Sequence, residues 1–209
     1  VGVSNSLPPH GGNLSQEARR LGMKPSQLLD ASASLVPFRP PRALRRALAV
    51  AIQGQALRDY PDRAQADLRS AIASWHGVDP DQVLGGNGAA ELFTWAARDA
   101  TAAGLNVLPQ PGFADYSRAL ACWGGAIEQL PLPLEWGDGW PQPFPLGALT
   151  ETTETSDVVW ITNPHNPTGQ LWSRCSLEPL LARFALVICD EAFRPRVPGG
   201  EDQSLLPLV

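Results

Sequence analysis

The 209-residue sequence has little of what marks several classes of protein. Its three cysteines include no C-x-x-C pair, so neither a disulfide framework nor a zinc site is indicated. No apolar run reaches the length of about 18 residues that a membrane-spanning helix needs. The first residues also lack the basic and apolar regions of a signal peptide. We therefore expect a protein of the reducing cytoplasm, without a metal.

Charge is scarce too, and one sign is in excess. Charged residues make up 18% of the sequence, and 16 Lys and Arg against 21 Asp and Glu give a net charge of −5. A surface of this kind offers no cationic patch to a nucleic-acid backbone or an anionic bilayer, so neither partner is expected. The apolar share of 44% is that of a folded globular chain.

The apolar residues divide the sequence into a helical first third and an alternating remainder. Helical spacing predicts helices over 14–21, 41–52 and 61–76, and Asp62 is placed to cap the first turn of the third. Short apolar runs at 105–108, 126–130, 158–161 and 186–189 then alternate with helix-like segments at 89–102, 113–123 and 176–184. This alternation predicts parallel βαβ units and hence an α/β fold, a doubly wound, mostly parallel sheet in three layers.

Ligands of such sheets bind beyond the carboxyl ends of the strands, so unusual residues just after the apolar runs are candidates for function. The turn Gly85–Glu91 is rich in glycine and leads directly into a helix, whose first backbone N–H groups can hold a phosphate. Glu91 takes the place that the dinucleotide fingerprint reserves for Gly or Ala, so the turn only weakly indicates a nucleotide. A plain strand-to-helix turn is the structural alternative.

Two further candidates follow the last two apolar runs. The segment Asn163–Gly169 places two prolines and a glycine around asparagines, a stiff backbone that can aim an amide at a ligand oxygen. Asp190 ends the last run, where a half-buried carboxylate needs a cationic or hydrogen-bonding partner. A protonated ring nitrogen would be such a partner, and a solvated turn acid is the alternative.

Together these motifs resemble the pyridoxal 5′-phosphate (PLP) enzymes of the aspartate aminotransferase fold, over nearly the whole chain and in the right order. Within that fold the match is closest to the threonine-phosphate decarboxylases of cobalamin synthesis, with histidinol-phosphate aminotransferases as the nearest relatives. The motifs that carry the resemblance are His10–Asn13, Asp59–Asp62, Gly86–Glu91, Pro111–Tyr116 and Asp190–Phe193.

The resemblance implies a role for each cofactor-facing residue. Asp190 would pair with the pyridinium nitrogen, Asn166 would donate to the phenolic oxygen, and Phe113 would stack on the ring. The backbone of three residues would hold the cofactor phosphate, namely Gly88, Ala89 and Ala90. Tyr60 would reach that phosphate in the partner subunit, which implies a homodimer.

The resemblance also indicates the substrate side of the site. His10 and Gly11 would lie over the substrate, a small phosphorylated amino acid, as part of an N-terminal arm. Where these decarboxylases read Ser-Ala-Asn-Ile-Asn-Pro, this sequence has Ser32–Pro37, in which Ser34 can still form a hydrogen bond. The family's Schiff-base lysine is expected past Val209, and the sequence's one lysine, Lys24, is expected to be a surface residue.

Three functions remain open from the sequence. The first is PLP-dependent decarboxylation of L-threonine O-3-phosphate to aminopropanol phosphate, with transamination of the histidinol-phosphate type as its alternative. The second is a non-catalytic, truncated paralogue, and the third is a nucleotide-binding protein. We expect residues 1–40 to be an arm and part of the small domain, and 41–209 to be an incomplete PLP-binding large domain. The small domain would then be mostly missing and the chain alone inactive.

Overall fold

The computed structural model describes residues 11–36, 38–133, 135, 137–147 and 157–209. They belong to two units, Val1–Gly85 and Gly86–Val209. The boundary expected between residues 40 and 41 falls inside the first unit, and the division into an arm and a large domain at that point stays a prediction. None of the helices in these described ranges is long and apolar enough to cross a membrane.

The first unit contains the three helices expected from its apolar spacing. They are α1 (Leu14–Leu21), α2 (Arg42–Gln53) and α3 (Ala66–His76). The start of α1 is capped by the Asn13 side chain, which accepts a hydrogen bond from the Gln16 amide at 3.1 Å. This cap explains why the helix begins where the periodicity predicts it.

The third helix begins later than the sequence pattern predicts. Asp62 was expected to cap a helix starting at Pro61, but α3 starts at Ala66. The Asp62 carboxylate instead accepts hydrogen bonds from the backbone amides of Ala64 at 3.0 Å and Ala66 at 2.8 Å. Gln65 has a φ of 49°, a left-handed conformation that interrupts a helix. Asp62 therefore stabilises a turn in front of the helix.

The second unit is built on a four-stranded parallel sheet. Its strands are β1 (Asn106–Gln110), β2 (Ile127–Pro131), β3 (Val158–Thr162) and β4 (Leu186–Asp190), in the order β2-β1-β3-β4. The helices are α4 (Ala89–Ala103), α5 (Asp115–Ala121) and α6 (Arg174–Arg183). The predicted α/β fold with a parallel sheet is confirmed, with each strand shifted or lengthened by a residue or two at its ends.

Helices cover both faces of this sheet, which makes three layers. Every residue of β3 is buried, as expected for a strand with neighbours on both sides. Its alternate side chains Val158 and Trp160 pack with α4 and α5. Val159 and Ile161 pack on the opposite face with α6. The two cores fix the sheet and therefore fix the positions of the strand ends.

Packing of α6 on its core gives a direct test of this arrangement. Leu177 is 0% exposed, whereas Leu181 on the same helix is 39% exposed. We expect Leu177→Ala to lower the free energy of unfolding by about 2–5 kcal/mol, because it leaves a cavity in the core. Leu181→Ala is the matched control and should cost less than about 1 kcal/mol. Equal effects in urea denaturation would contradict the described packing.

Candidate functional site

A buried hydroxyl joins the carboxyl ends of β3 and β4. Thr162 and Asp190, the last residues of the two strands, are paired in register. The Tyr116 hydroxyl lies 2.8 Å from the Asp190 Oδ2 and 2.8 Å from the Thr162 Oγ1. A tyrosine has one proton to donate, and an ionised carboxylate can only accept. Tyr116 therefore donates to Asp190, and Thr162 donates to Tyr116.

The surroundings of Tyr116 keep its hydroxyl protonated. Its side chain is 4% exposed, and burial raises its pKa well above the usual range. The negative charge of Asp190 raises the pKa further. The other oxygen of the Asp190 carboxylate, Oδ1, accepts from the Ala192 amide at 2.9 Å. Both carboxylate oxygens are thus fixed while Asp190 stays half-buried at the edge of the sheet.

Edge-on aromatic contacts hold Phe113, the ring expected to stack on a ligand. Its ring meets Tyr116 edge-on, with centroids 5.5 Å apart and an interplanar angle of 81°. Phe93 of α4 meets it edge-on as well, at 6.2 Å. Phe113 itself remains half-buried. Tyr116 therefore contacts the Phe113 ring and donates a hydrogen bond to Asp190.

The start of α4 has the features of an anion cradle. Gly88 has a φ of 80°, which favours glycine, and no side chain caps the helix at this position. The first N–H groups of a helix have no carbonyl partner within the helix. Glu91, the residue that breaks the dinucleotide fingerprint, accepts a hydrogen bond from the Asn87 amide at 2.7 Å. Its carboxylate therefore closes the turn.

Arg118 of α5 connects that cradle to the rest of the site. Its guanidinium donates to the Ala90 carbonyl at 2.9 Å and to the Thr94 hydroxyl at 3.2 Å. Asp115 accepts a hydrogen bond from the same group at 3.0 Å. The first turn of α4 is thereby tied to the helix that follows Phe113.

The two asparagines after β3 differ in their surroundings. The Asn163 side chain accepts from the Trp172 amide at 2.9 Å and donates to the Trp172 carbonyl at 3.1 Å. Asn163 is therefore engaged in holding the loop. Asn166 is half-buried, and its side-chain amide makes no hydrogen bond to any described part of the chain. Its amide is thus available to a ligand.

Glu191, next to Asp190, fixes the segment that follows the site. Its carboxylate accepts from the Ser204 hydroxyl and from the Leu205 amide, each at 2.7 Å. Arg194, which is buried, pairs with Glu191 and also with Glu201 at 2.9 Å. This network anchors the loop that begins at Asp190.

The predicted substrate residues belong to the first unit. A Cβ on Gly11 would lie 2.0 Å from the Ser32 carbonyl oxygen, so only glycine fits against the backbone of Ser32. The Gly12 amide donates to the Ser32 hydroxyl at 2.9 Å. Ser32 in turn donates to Asp30 at 2.6 Å, which lowers the pKa of that carboxyl. Ser34 is exposed.

Three more residues were named from the sequence, namely Tyr60, Lys24 and His10. Tyr60 is exposed in the first unit, and Lys24 is a surface residue, as predicted. His10 lies outside the described residues. Among the described residues no group of three or more potential metal ligands comes together.

Sequence reasoning missed Tyr116, Thr162 and Arg118. Tyr116 stands three residues after Phe113 at the start of a helix, a spacing that places both side chains on one face. Thr162 is a polar residue at the end of an otherwise apolar strand. Both signals were available, but the identity of their partner, Asp190, was not.

These features belong to a known family. Residues 26–208 match the family model of aminotransferase class I and II, and the chain belongs to this family. The resemblance found in the sequence is thereby confirmed.

Among curated proteins, the threonine-phosphate decarboxylase of Salmonella typhimurium is 35% identical over 90% of this chain and 51% of that protein. The histidinol-phosphate aminotransferase of Bacillus cytotoxicus is 29% identical over 95% of this chain and 52% of that protein. The chain therefore spans about half the length of the curated relatives it matches.

Solved structures share the fold. The histidinol-phosphate aminotransferase of Sinorhizobium meliloti, in complex with PLP, has a TM-score of 0.73 and 22% identity. That match covers 94% of this chain and 53% of the other. The L-threonine-O-3-phosphate decarboxylase of Porphyromonas gingivalis has a TM-score of 0.61 and 21% identity. That match covers 78% of this chain and 48% of the other. Membership of this family supports PLP as the cofactor.

The raised pKa of Tyr116 predicts a loss of stability at high pH. The unfolded chain releases this proton at a pKa of about 10, whereas the folded chain retains it. The stabilisation is complete below about pH 10 and declines as the pH rises further. We expect Tyr116→Phe to cost about 1–3 kcal/mol at neutral pH and to make the alkaline decline less steep.

The chain provides a matched control, since Tyr60 is its other tyrosine and is 100% exposed. Tyr60→Phe should leave both the unfolding free energy and its alkaline slope unchanged. Denaturant unfolding at several pH values measures both quantities. An unaltered slope in Tyr116→Phe would contradict the buried, protonated hydroxyl.

Proposed function

We propose that this chain carries the cofactor-binding residues of a PLP-dependent enzyme that decarboxylates L-threonine O-3-phosphate to aminopropanol phosphate, a reaction of cobalamin biosynthesis. The observation that carries the proposal is the Asp190 carboxylate, held by Tyr116 and Ala192 at the carboxyl end of β4. The enzyme would be a cytoplasmic homodimer acting on a small phosphorylated amino acid.

The described residues fit a flat ring that bears a phosphate. The second unit contains a half-buried carboxylate, a half-buried aromatic ring and a helix start without a side-chain cap, at Asp190, Phe113 and Gly88. Tyr116 donates a hydrogen bond to Asp190 and contacts the Phe113 ring, and Arg118 of the same helix donates to the first turn of α4. A carboxylate suits a protonated ring nitrogen, and helix-start amides suit a phosphate.

In this proposal, each residue acts on one part of the cofactor. When bound, PLP accepts the electron pair left at the α-carbon of the substrate. Asp190 would hold the proton on the ring nitrogen, and the Tyr116 hydrogen bond would keep the carboxylate aimed at that atom. Phe113 would pack on the face of the ring. Asn166 would donate its free amide N–H to the phenolic oxygen.

Backbone amides of one subunit and a tyrosine of the other would bind the cofactor phosphate. The amides at the start of α4, from Gly88 to Ala90, would hold its oxygens, and the positive end of the helix dipole would favour its charge. Tyr60 would reach the phosphate bound by the partner subunit. The exposed Tyr60 hydroxyl is compatible with this role.

The resemblance also assigns residues to the substrate. Gly11 and Ser34 would contact it together with His10. The tight packing of Gly11 on Ser32 supports a fixed course for this segment.

Two alternatives to this reaction remain. Transamination of the histidinol-phosphate type would use the same ring contacts, and relatives with that name match the chain as broadly as the decarboxylases do. A non-catalytic paralogue would bind the cofactor or dimerise only. The intact set of cofactor-facing side chains argues against the paralogue, because decay should have eroded some of them.

One assay separates the three functions. The protein encoded by the full reading frame is supplied with PLP and either L-threonine O-3-phosphate, or histidinol phosphate with 2-oxoglutarate. We expect CO2 and aminopropanol phosphate from the first mixture and no keto product from the second. A keto product without CO2 would establish the aminotransferase, and the absence of both products would establish the non-catalytic paralogue.

A further inference from the structure

Arg118 of α5 contacts the beginning of α4 at more than one atom. Its Nη2 donates to the Ala90 carbonyl at 2.9 Å and to the Thr94 hydroxyl at 3.2 Å. Because α4 begins at Ala89, the Ala90 carbonyl belongs to the first turn of that helix. Arg118 and both acceptors lie in the second unit. This side chain therefore joins α5 to the end of α4 where the cofactor phosphate would be bound.

Asp115, three residues earlier on α5, holds the guanidinium of Arg118 in place. Both carboxylate oxygens accept from it, Oδ1 from the Nε–H and Oδ2 from Nη2 at 3.0 Å. The side chain of Asp115 is 8% exposed, and a carboxylate buried to this extent needs such a partner. Pairing through two oxygens fixes the plane of the guanidinium as well as its position. Arg118 therefore presents its Nη2 to α4 in one orientation.

The protons of Nη2 suffice for all of these contacts. Nη2 bears two N–H groups, and its acceptors are Asp115, the Ala90 carbonyl and the Thr94 hydroxyl. One N–H serves Asp115, and the other is shared between Ala90 and Thr94, an arrangement that is common at helix ends. The Thr94 hydroxyl uses its own proton to donate to the Ala90 carbonyl at 2.9 Å. Each donor and each acceptor thus has a compatible role.

The beginning of α4 has little support from its own residues. Gly88, which precedes the helix, has no side chain to cap it, so the first backbone amides stay available to a ligand. Helix ends of this kind open more readily than the middle of a helix. The Glu91 carboxylate accepts from the Asn87 amide at 2.7 Å, but this bond lies within the turn itself. Arg118 supports the same turn from a neighbouring helix.

Other contacts also join α4 to α5. The rings of Phe93 and Tyr116 meet edge-on, with centroids 5.1 Å apart. The Trp123 Nε1–H donates to the Thr94 carbonyl at 2.7 Å. Of these contacts and that of Arg118, only the last reaches a carbonyl of the first turn. The two helices should therefore stay packed when Arg118 is replaced, while the first turn of α4 loses its support.

We propose that Arg118 is a positioning residue that fixes the first turn of α4 and thereby the amides that would bind the cofactor phosphate. It would act through the Ala90 carbonyl rather than through a contact with the phosphate. Amides that are held in one direction before binding lower the cost of ordering the bound state. This role rests on the proposed function, in which the backbone of Gly88 to Ala90 binds the phosphate. The hydrogen bonds of Arg118 do not depend on it.

Amide hydrogen exchange measures the support of this turn without a ligand. The amides of residues 92–95 donate to the carbonyls of residues 88–91, so their protection reports on the first turn. Arg118→Met keeps an unbranched side chain but removes every N–H group. We expect it to raise exchange at residues 92–95 about fivefold or more and to leave residues 98–103 within about twofold. Unaltered exchange at 92–95, or an equal rise along the whole helix, would overturn the proposal.

Two variants serve as matched controls. Arg98→Met removes an exposed guanidinium from α4 itself, where it pairs with Asp99 at 2.8 Å. Trp123→Phe removes a different hydrogen bond between α5 and α4. Both variants should leave exchange at residues 92–95 within about twofold of the unsubstituted chain. The same rise in Trp123→Phe would show that helix packing in general, and not Arg118, fixes the turn.

A pair of probes separates the phosphate from the rest of the ligand. Pyridoxamine 5′-phosphate and pyridoxamine differ only in the phosphate, and neither has an aldehyde that could form an imine with a lysine. In isothermal titration calorimetry, we expect Arg118→Met to weaken binding of the first probe about fivefold or more and of the second by less than about twofold. Arg98→Met should alter neither affinity. Equal weakening of both probes, or weaker binding of the first with unaltered exchange, would overturn the proposal.

Failure of the proposed function would give a different set of results. The unsubstituted chain would then bind both probes equally or bind neither, while the exchange contrast between Arg118→Met and its controls would persist. Arg118 would still be the residue that holds the first turn, and its link to the phosphate would be overturned. If the contrast is lost but the phosphate-bearing probe still binds more tightly, the role of Arg118 fails and the proposed function stands.

Discussion

The hydrogen bond from Tyr116 to Asp190 is the interaction on which the rest of the site depends. It joins the helix after β1 to the ends of β3 and β4, and Thr162 completes it from the neighbouring strand. The bond persists because burial keeps the hydroxyl protonated. Without it, the Asp190 carboxylate would retain only the Ala192 amide, and Phe113 would lose a ring contact with a fixed partner.

The parallel sheet makes this convergence possible. Parallel strands end at the same edge, so residues far apart in sequence meet there. The loop after β1 brings Phe113, the loop after β3 brings Asn166, and β4 ends in Asp190. Each loop is then held by its own polar contacts, through Arg118 and through Asn163. The strand ends place the functional groups, and these contacts orient them.

The sequence predicted the fold class and each strand of the described residues, because short apolar runs alternate with helix-like segments, the pattern of parallel βαβ units. It misplaced the start of α3, since the carboxylate of Asp62 supports a turn as readily as a helix. That the motif residues face a ligand stays a prediction, and the motifs did not indicate the partners of these residues within the chain. The hydrogen bond between Tyr116 and Asp190 joins residues distant in sequence, and local patterns carry no record of such a pair.

We propose that Asp190 and its neighbours bind the cofactor ring. Titration of the chain with pyridoxamine 5′-phosphate, followed by tryptophan fluorescence, tests this binding most directly. We expect saturable binding that Asp190→Asn weakens by about tenfold or more, because a charge-assisted hydrogen bond to the ring nitrogen is lost. Asp67→Asn, at an exposed acid on α3, should leave the affinity unchanged. The same affinity in Asp190→Asn, or no saturable binding by the unsubstituted chain, would show that Asp190 does not hold the ring.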